Sequence, residues 1–414
     1  MITKPDSDEM GARQFLIDCW GAGVASVKGE NAVRQALTRH GPERVERLLA
    51  VGKAASSMCL GATGFMAPDA QCLMITKYGH TDPQLLEDQR FQVIESAHPI
   101  PDQNSIKAGT TAIDFVQSIL PDQAFLVLVS GGASSLLEVL VEGLGLEYLE
   151  SLTSAMLANG LDIHQINAVR TRISRIKGGK LMALGKSKSS HVLLVSDVQH
   201  DDPAVIGSGI GSTCPSRSSS PRIPAVIEEI LADAGITTEE KYPCPSLSSF
   251  SSRVIASNTV ARNACEQFAT DKGLQVVMNE ETLHGDMEDV VQRISELVLT
   301  GPGGVYVFGG EPTVVLPEKP GRGGRMQHLA LSVAKSIRGQ AGISLIAAGT
   351  DGTDGPTDAA GGIVDGTTYR TESVADTALV EADAGSYLDQ VGGLFVSGPT
   401  GTNVMDLVIV LKNR

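Results

Sequence analysis

Short apolar runs recur along the chain, each ending at Gly, Ser or Asp and followed by sequence of helical period. Arg47-Leu48-Leu49-Ala50-Val51 leads into Gly52-Lys53, and Phe125-Leu126-Val127-Leu128-Val129 leads into Ser130-Gly131-Gly132. Val192–Val195 leads into Ser196-Asp197, Val254-Ile255-Ala256 into Ser257-Asn258, and Leu345–Ala348 into Gly349-Thr350-Asp351. Unalternated runs of this length, interleaved with helical periodicity, predict buried parallel strands in an α/β protein. Leu149, Leu152, Met156 and Leu157 fall on one helical face, and Ile227, Ile230 and Leu231 mark another. Gly303–Gly310 and then Pro312–Pro317 are spaced like two adjacent strands, which predicts a mixed sheet in the second half. Pro and Ser crowd the stretch 212–252, so a domain boundary is expected at 245/246.

Composition changes this picture in one respect. Of 414 residues 45 are Gly, well above the usual share of about 7%. Hydrophobic residues make up 42%, which excludes a disordered chain, and the glycines show no three-residue period. The surplus is therefore expected in turns that approach a ligand. A net charge of −15 argues against nucleic-acid or anionic-membrane partners, though not against a small anion in a locally basic cleft. Six dispersed cysteines, Cys214 and Cys244 among them, form no CxxC pair, and no apolar run approaches the roughly 20 residues of a membrane helix. With a polar N-terminus, these features lead to an expected cytoplasmic location.

The candidate chemistry lies at the ends of the predicted strands. Ser130, Gly131, Gly132, Ser134 and Ser135 lie between a strand and a helix, where backbone N–H groups favour an anion. The plainer alternative is a tight turn with Ser134 as N-cap. Lys53 follows a strand and Gly52. Arg170, Arg172, Arg175, Lys177 and Lys180 concentrate positive charge in an acidic chain. Arg170, Ser174 and Lys177 are expected to share a helical face, either solvated or lining an anion cleft. Asp197 and Asp351 open two acidic clusters at strand ends and would suit Mg²⁺, with simple Asx-turns as the alternative for both and calcium for the second. Gly321-Arg322-Gly323-Gly324-Arg325 sets guanidinium groups among glycines ahead of a helix, suited to phosphate.

Taken together, Val51–Ser56, His98–Asp102, Ser130–Leu137, Asn167–Lys180, Ser196–Gly209, Gly309–Gln327, Gly349–Asp365 and Gly401-Thr402-Asn403 resemble the class II glycerate 2-kinases. That family phosphorylates D-glycerate with ATP, and its C-terminal half is the "multi-organism fragment with rich leucine" domain. The resemblance implies two α/β domains, 1–245 with a Rossmann-like doubly wound parallel sheet and 246–414 with a mixed sheet, and an active site in the cleft between them. It implies Lys53 and Arg325 as the cations flanking the transferring phosphoryl group. On this reading ATP lies against Ser130–Ser135, with Asn258 also contacting it. Asp197 and Asp351 hold Mg²⁺ or Mn²⁺, and Arg170, Arg172 or Lys177 takes the carboxylate of D-glycerate or a related hydroxyacid. No nucleic acid or membrane is expected as a partner, and at most a second copy of the chain.

Three departures from the family pattern stand out. Met326-Gln327-His328 replaces Asn-Gln-Glu, Gln199-His200 replaces Pro-Gly, and Val404-Met405-Asp406 replaces Val-Asn-Asp. Loss of polarity at Met326 and Met405 is expected to alter which hydroxyacid fits. Relatives are also catalogued as hydroxypyruvate reductases, but nicotinamide chemistry wants GxGxxG after a strand. Gly207-Ser208-Gly209-Ile210-Gly211 comes nearest and has Pro203 behind it. A non-catalytic sugar-acid-binding regulator is the remaining alternative.

Overall fold

A computed structural model describes residues 7–213, 221–236 and 250–413. The Pro/Ser-rich segments 214–220 and 242–246, Cys214, Cys244 and the expected boundary at 245/246 lie outside the described residues. The chain divides into two units, residues 29–255 and residues 256–414 joined by the first 28.

In the unit 29–255 the apolar runs become β1 (Val45–Val51), β2 (Met66–Lys77), β3 (Phe91–Ser96), β4 (Ala124–Val129), β5 (Ser189–Val195) and β6 (Phe250–Ala256). They form one sheet in the order β3-β2-β1-β4-β5-β6, the doubly wound arrangement in which ligands gather beyond the carboxyl ends of the strands. The pairings β1–β2, β1–β4, β2–β3 and β4–β5 are parallel. Leu49, Val51, Leu73, Val127, Val129 and Leu194 pack beneath Ala108, Ala112 and Val116 of the helix Gln103–Gln117. A smaller helical core joins Leu149, Leu152, Met156, Val169, Ile173, Ile227 and Leu231. Leu157, expected on the same face, is 64% exposed; the face turns away from the core one position earlier.

The other unit holds β7 (Val276–Glu280), β8 (Gly285–Asp286), β9 (Gly304–Gly310), β10 (Pro312–Thr313), β11 (Ile343–Gly349), β12 (Gly361–Asp365), β13 (Leu394–Phe395) and β14 (Asp406–Lys412). Its main sheet runs β13-β12-β11-β14-β9-β7. Only β7–β9 among these neighbours is parallel, so the sheet is mixed. Two expectations change here. The run Leu345–Ala348 is antiparallel to both neighbours, because burial on both faces, rather than strand direction, makes a run continuously apolar. Pro312–Pro317 is not the strand beside β9, since only Pro312–Thr313 is extended and it pairs with β8. Val315 is 89% exposed; with Pro at both ends the segment lacks the donors a central strand requires.

The N-terminal helix Ser7–Ser26 packs within this second unit. Phe15 lies 5.9 Å from Phe268, and Trp20 meets Phe395 edge-on at 5.1 Å. No described helix is long and apolar enough to cross a membrane.

Candidate active site

In the unit 29–255, the carboxyl ends of β1 and β4 are laced together. Gly52 has φ 129°, and a Cβ there would stand 2.1 Å from Ser130 Oγ, so only glycine admits this approach. Lys53 N–H donates to the Gly131 carbonyl at 2.9 Å, and Ala54 N–H donates to Ser130 Oγ at 3.0 Å. Gly132 has φ 82°, and a Cβ on it would lie 2.9 Å from the His98 ring and 3.2 Å from Lys53 Cγ. The Lys53 stem and His98 thus flank the Gly131–Gly132 turn. The backbone N–H groups of Gly131 and Gly132 have no acceptor among the described residues, which makes the turn an anion nest.

The serines divide by role. Ser130 is fully buried and its hydroxyl serves Ala54, while Ser135 Oγ donates to the Gly132 carbonyl at 3.2 Å. Ser134 faces outward from the turn, 2.8 Å from Ser208 Oγ and 3.4 Å from Arg170 Nη1. The helix that follows, Ala133–Leu136, is only four residues long, so the turn itself rather than a helix dipole offers the N–H groups.

The cationic segment also divides. Arg170 reaches Ser134, whereas Arg172 pairs with Glu228 at 2.8 Å. Lys177 does not share a helix face with Arg170. The helix Ile163–Ile173 ends at Ser174, whose extended backbone bridges to Leu140. Lys177 is 2% exposed and forms an ion pair with the fully buried Glu138, which also accepts from Ser174 Oγ at 2.5 Å. Burial pulls its ammonium below the usual lysine range while Glu138 pulls it back. This side chain holds the fold together, and Lys180 does the same through the carbonyls of Thr171 and Ser174, each at 2.7 Å.

In the second unit three strand ends meet at one sheet edge, with Gly310, Asp406 and Gly349 in register. The helix Arg325–Ser336 starts there. Arg325 Nε donates to Asp406 Oδ2 at 2.6 Å and Nη2 to Oδ1 at 3.3 Å, while Nη1 pairs with Glu311. Burial pushes the Asp406 carboxyl up to about 7, with Arg325 opposing. Asp354, 4% exposed, accepts from the N–H groups of Met326 (3.1 Å) and Gln327 (2.8 Å), capping the helix from a distant loop. A Cβ on Gly324 would fall 2.3 Å from that carboxyl, so glycine is what lets it in. Asp351 Oδ1 accepts from Thr353 N and Oγ1, both at 3.0 Å, in an Asx-turn. Asp351 Oδ1 and Asp406 Oδ1 lie 3.3 and 3.4 Å from the position a Gly349 Cβ would take, so the two carboxylates converge there.

Asn258, expected beside ATP, is fully buried. Its Nδ2 donates to the carbonyls of Val404 (2.9 Å) and Asp406 (3.0 Å) and its Oδ1 accepts from Arg262, which occupies both amide hydrogens within the fold. Met326 is fully buried in the core and Met405 is 3% exposed, so neither presents a side chain to a substrate. Asp197 lies two residues past β5 and Asp351 two past β11. Among the described residues no three His, Cys, Asp or Glu side chains gather as a metal site. One or two carboxylates do suit Mg²⁺ when phosphate and water complete the shell, so the donor set fits an ion that arrives with a nucleotide.

The residues that the sequence reading passed over are Asp406, Glu311 and Asp354, with Asn167 and Ser208 in the other unit. Glu311, Asp354, Asn167 and Ser208 fall inside segments that carry the family resemblance, and Asp406 stands beside the Met405 departure, but spacing alone gave none of them a role. Gly207–Gly211 does not follow a strand. It forms a left-handed turn whose Ser208 and Gly209 carbonyls accept from Gly178 and Gly179, so the dinucleotide fingerprint lacks its structural context.

Comparison with known proteins places these features in a lineage. Residues 15–239 match the model of a domain of unknown function, DUF4147, and residues 304–406 match the MOFRL family. The chain is 34% identical to the D-glycerate 2-kinase of Thermotoga maritima, over 98% of this chain and 99% of that one. It is 36% identical to the glycerate 2-kinase of Pyrococcus horikoshii, over 88% and 86%. A putative hydroxypyruvate reductase of Agrobacterium vitis is 32% identical over 88% of this chain and 98% of its own. The crystal structure of the Thermotoga maritima glycerate kinase matches with a TM-score of 0.84 at 33% identity, covering 98% and 100% of the two chains.

Proposed function

The chain belongs to the glycerate 2-kinase family, and on that premise we propose that it transfers the γ-phosphoryl group of ATP to the C2 hydroxyl of D-glycerate, giving 2-phosphoglycerate and ADP. The observation that supports this most directly is the placing of Lys53 against the open N–H groups of Gly131 and Gly132, beyond the carboxyl ends of β1 and β4. Open α/β sheets take their ligands at that position, and phosphoryl transfer asks mainly for positioned positive charge.

In this reading the hydroxyl oxygen attacks the γ-phosphorus while the bond to the bridging oxygen of ADP breaks. The hydroxyl proton passes to a carboxylate of the acidic clusters. Lys53 and Arg325 neutralise charge on the transferring group, and Arg170 holds the substrate carboxylate. Mg²⁺ or Mn²⁺, when bound, would neutralise phosphate charge, with Asp197 and Asp351 as the side chains to hold it. In this reading the reaction runs in the cytoplasm. An ATP-dependent screen of small hydroxyacids, read by ³¹P NMR, tests this: a 2-phospho product from D-glycerate is expected. Oxidation of NADH with hydroxypyruvate and no ATP turnover would overturn it.

A further inference from the structure

Beside the Gly131–Gly132 turn run three successive left-handed residues, Gly207, Ser208 and Gly209, with φ of 56°, 55° and 71°. Glycine adopts this conformation freely; a serine between two glycines does so only under constraint, and such outliers gather where function needs them. The Ser208 side chain is 3% exposed. Its Oγ lies 2.8 Å from Ser134 Oγ and donates to Asn167 Oδ1 at 2.9 Å, and Ser134 Oγ receives Arg170 Nη1 at 3.4 Å.

The bond that Ser208 donates to Asn167 sets the direction of the line. Ser208 Oγ has one proton and gives it to Asn167 Oδ1, so it accepts from Ser134 Oγ, while Ser134 accepts from Arg170, whose guanidinium only donates. The Asn167 carboxamide thus turns its oxygen toward Ser208 and its Nδ2 away from it. Neither Nδ2 hydrogen has an acceptor among the described residues, and Arg170 has no carboxylate within ion-pair distance among them. Burial pulls the Arg170 guanidinium below its usual range, with Glu138 pulling it back, so its charge is poorly solvated as well as unpaired. Asn167 and Arg170 are three residues apart on the helix Ile163–Ile173 and so share a face.

We infer that Asn167 and Arg170 together recognise the carboxylate of the hydroxyacid, and that Ser208 is a positioning residue that sets the Asn167 amide. This rests on the phosphotransfer reading for the identity of the acid. A group offering only donors, one of them charged, matches a carboxylate and leaves a neutral amide's own N–H groups unpaired.

The test compares the full-length protein with Asn167→Asp and Ser208→Gly. Each is assayed for ATP-dependent phosphorylation of D-glycerate and, separately, titrated calorimetrically with D-glycerate and with glyceramide. Asn167→Asp should raise the KM and Kd for D-glycerate about 100-fold, and Ser208→Gly about tenfold, with the KM for ATP nearly unchanged. Ser208→Gly suits the backbone conformation, so its melting temperature should hold or rise; lost affinity then reports the hydroxyl and not the fold. Unchanged glycerate affinity in both variants, or equal binding of glyceramide by the wild type, would overturn this inference while leaving the kinase reading intact. Carboxylate binding that is lost in the variants, in a protein that phosphorylates nothing, would uphold the inference and sink the kinase reading.

Discussion

Arg325 is gripped by two carboxylates, and the grip governs what it can do. Three of its nitrogens face Asp406 and Glu311, so its position is fixed before any substrate arrives and the remaining N–H directions are left for a phosphoryl group. Arg325→Ala should lower kcat about 10³-fold, the scale of losing a cation on a transferring phosphoryl group. Asp406→Asn keeps the shape and loosens the grip, so steady-state kinetics should show a smaller loss, about tenfold, with glycerate binding little affected. His200 gives a residue-scale test of stability. It is exposed and sits at φ 65°, where the family pattern has glycine. His200→Gly should therefore raise unfolding free energy by about 1 kcal/mol in denaturant titrations. Met405 likewise replaces an asparagine at φ 67°, so both departures are backbone matters rather than contacts to substrate.

Among the elements, the helix Arg325–Ser336 shows what long-range pairing adds to a local pattern. Its apolar stripe and its glycine-rich entrance were legible, and so were β1, β4, β5, β9 and β11, because continuous burial leaves a continuous apolar run. Its cap was not. Asp354 reaches it from a separate loop, and Arg325 finds Asp406 81 positions away, a pairing that no spacing rule encodes. Lys177 was misplaced for a related reason: Gly178 and Gly179 at φ 62° and 85° follow a strand-like break that helical periodicity runs straight through. On the same helix His328 is buried enough to pull its imidazole below the usual 6.5, with Glu288 pulling it back, and Nδ1 has no partner among the described residues. A depressed folded value means that the unfolded chain takes up the proton first. Stability should thus hold above pH 6.5 and fall as pH drops through and below it. His328→Gln should flatten that acid-side slope in melting temperature measured from pH 7 to pH 5.

For the whole molecule, Lys53 and Arg325 are both proposed to neutralise the transferring group. If so, their losses are not independent. Lys53→Ala and Arg325→Ala should each cost orders of magnitude in kcat, and the double variant little more than the worse single one; fully multiplicative losses would separate their roles. The second unit is also interrupted in sequence, since Ser7–Ser26 packs against Phe268 and Phe395 while residues 29–255 build the other sheet. On the ribosome this has a temporal consequence. The helix emerges before residues 29–255 and its docking surface after them, a delay of about ten seconds or more at ~5–20 residues per second. Throughout that delay Leu16, Cys19, Trp20 and Val24 lack their native cover while the middle of the chain can already fold. The helix Ser7–Ser26 should therefore be vulnerable to proteases and dependent on chaperones until the strands and helices it packs on have emerged.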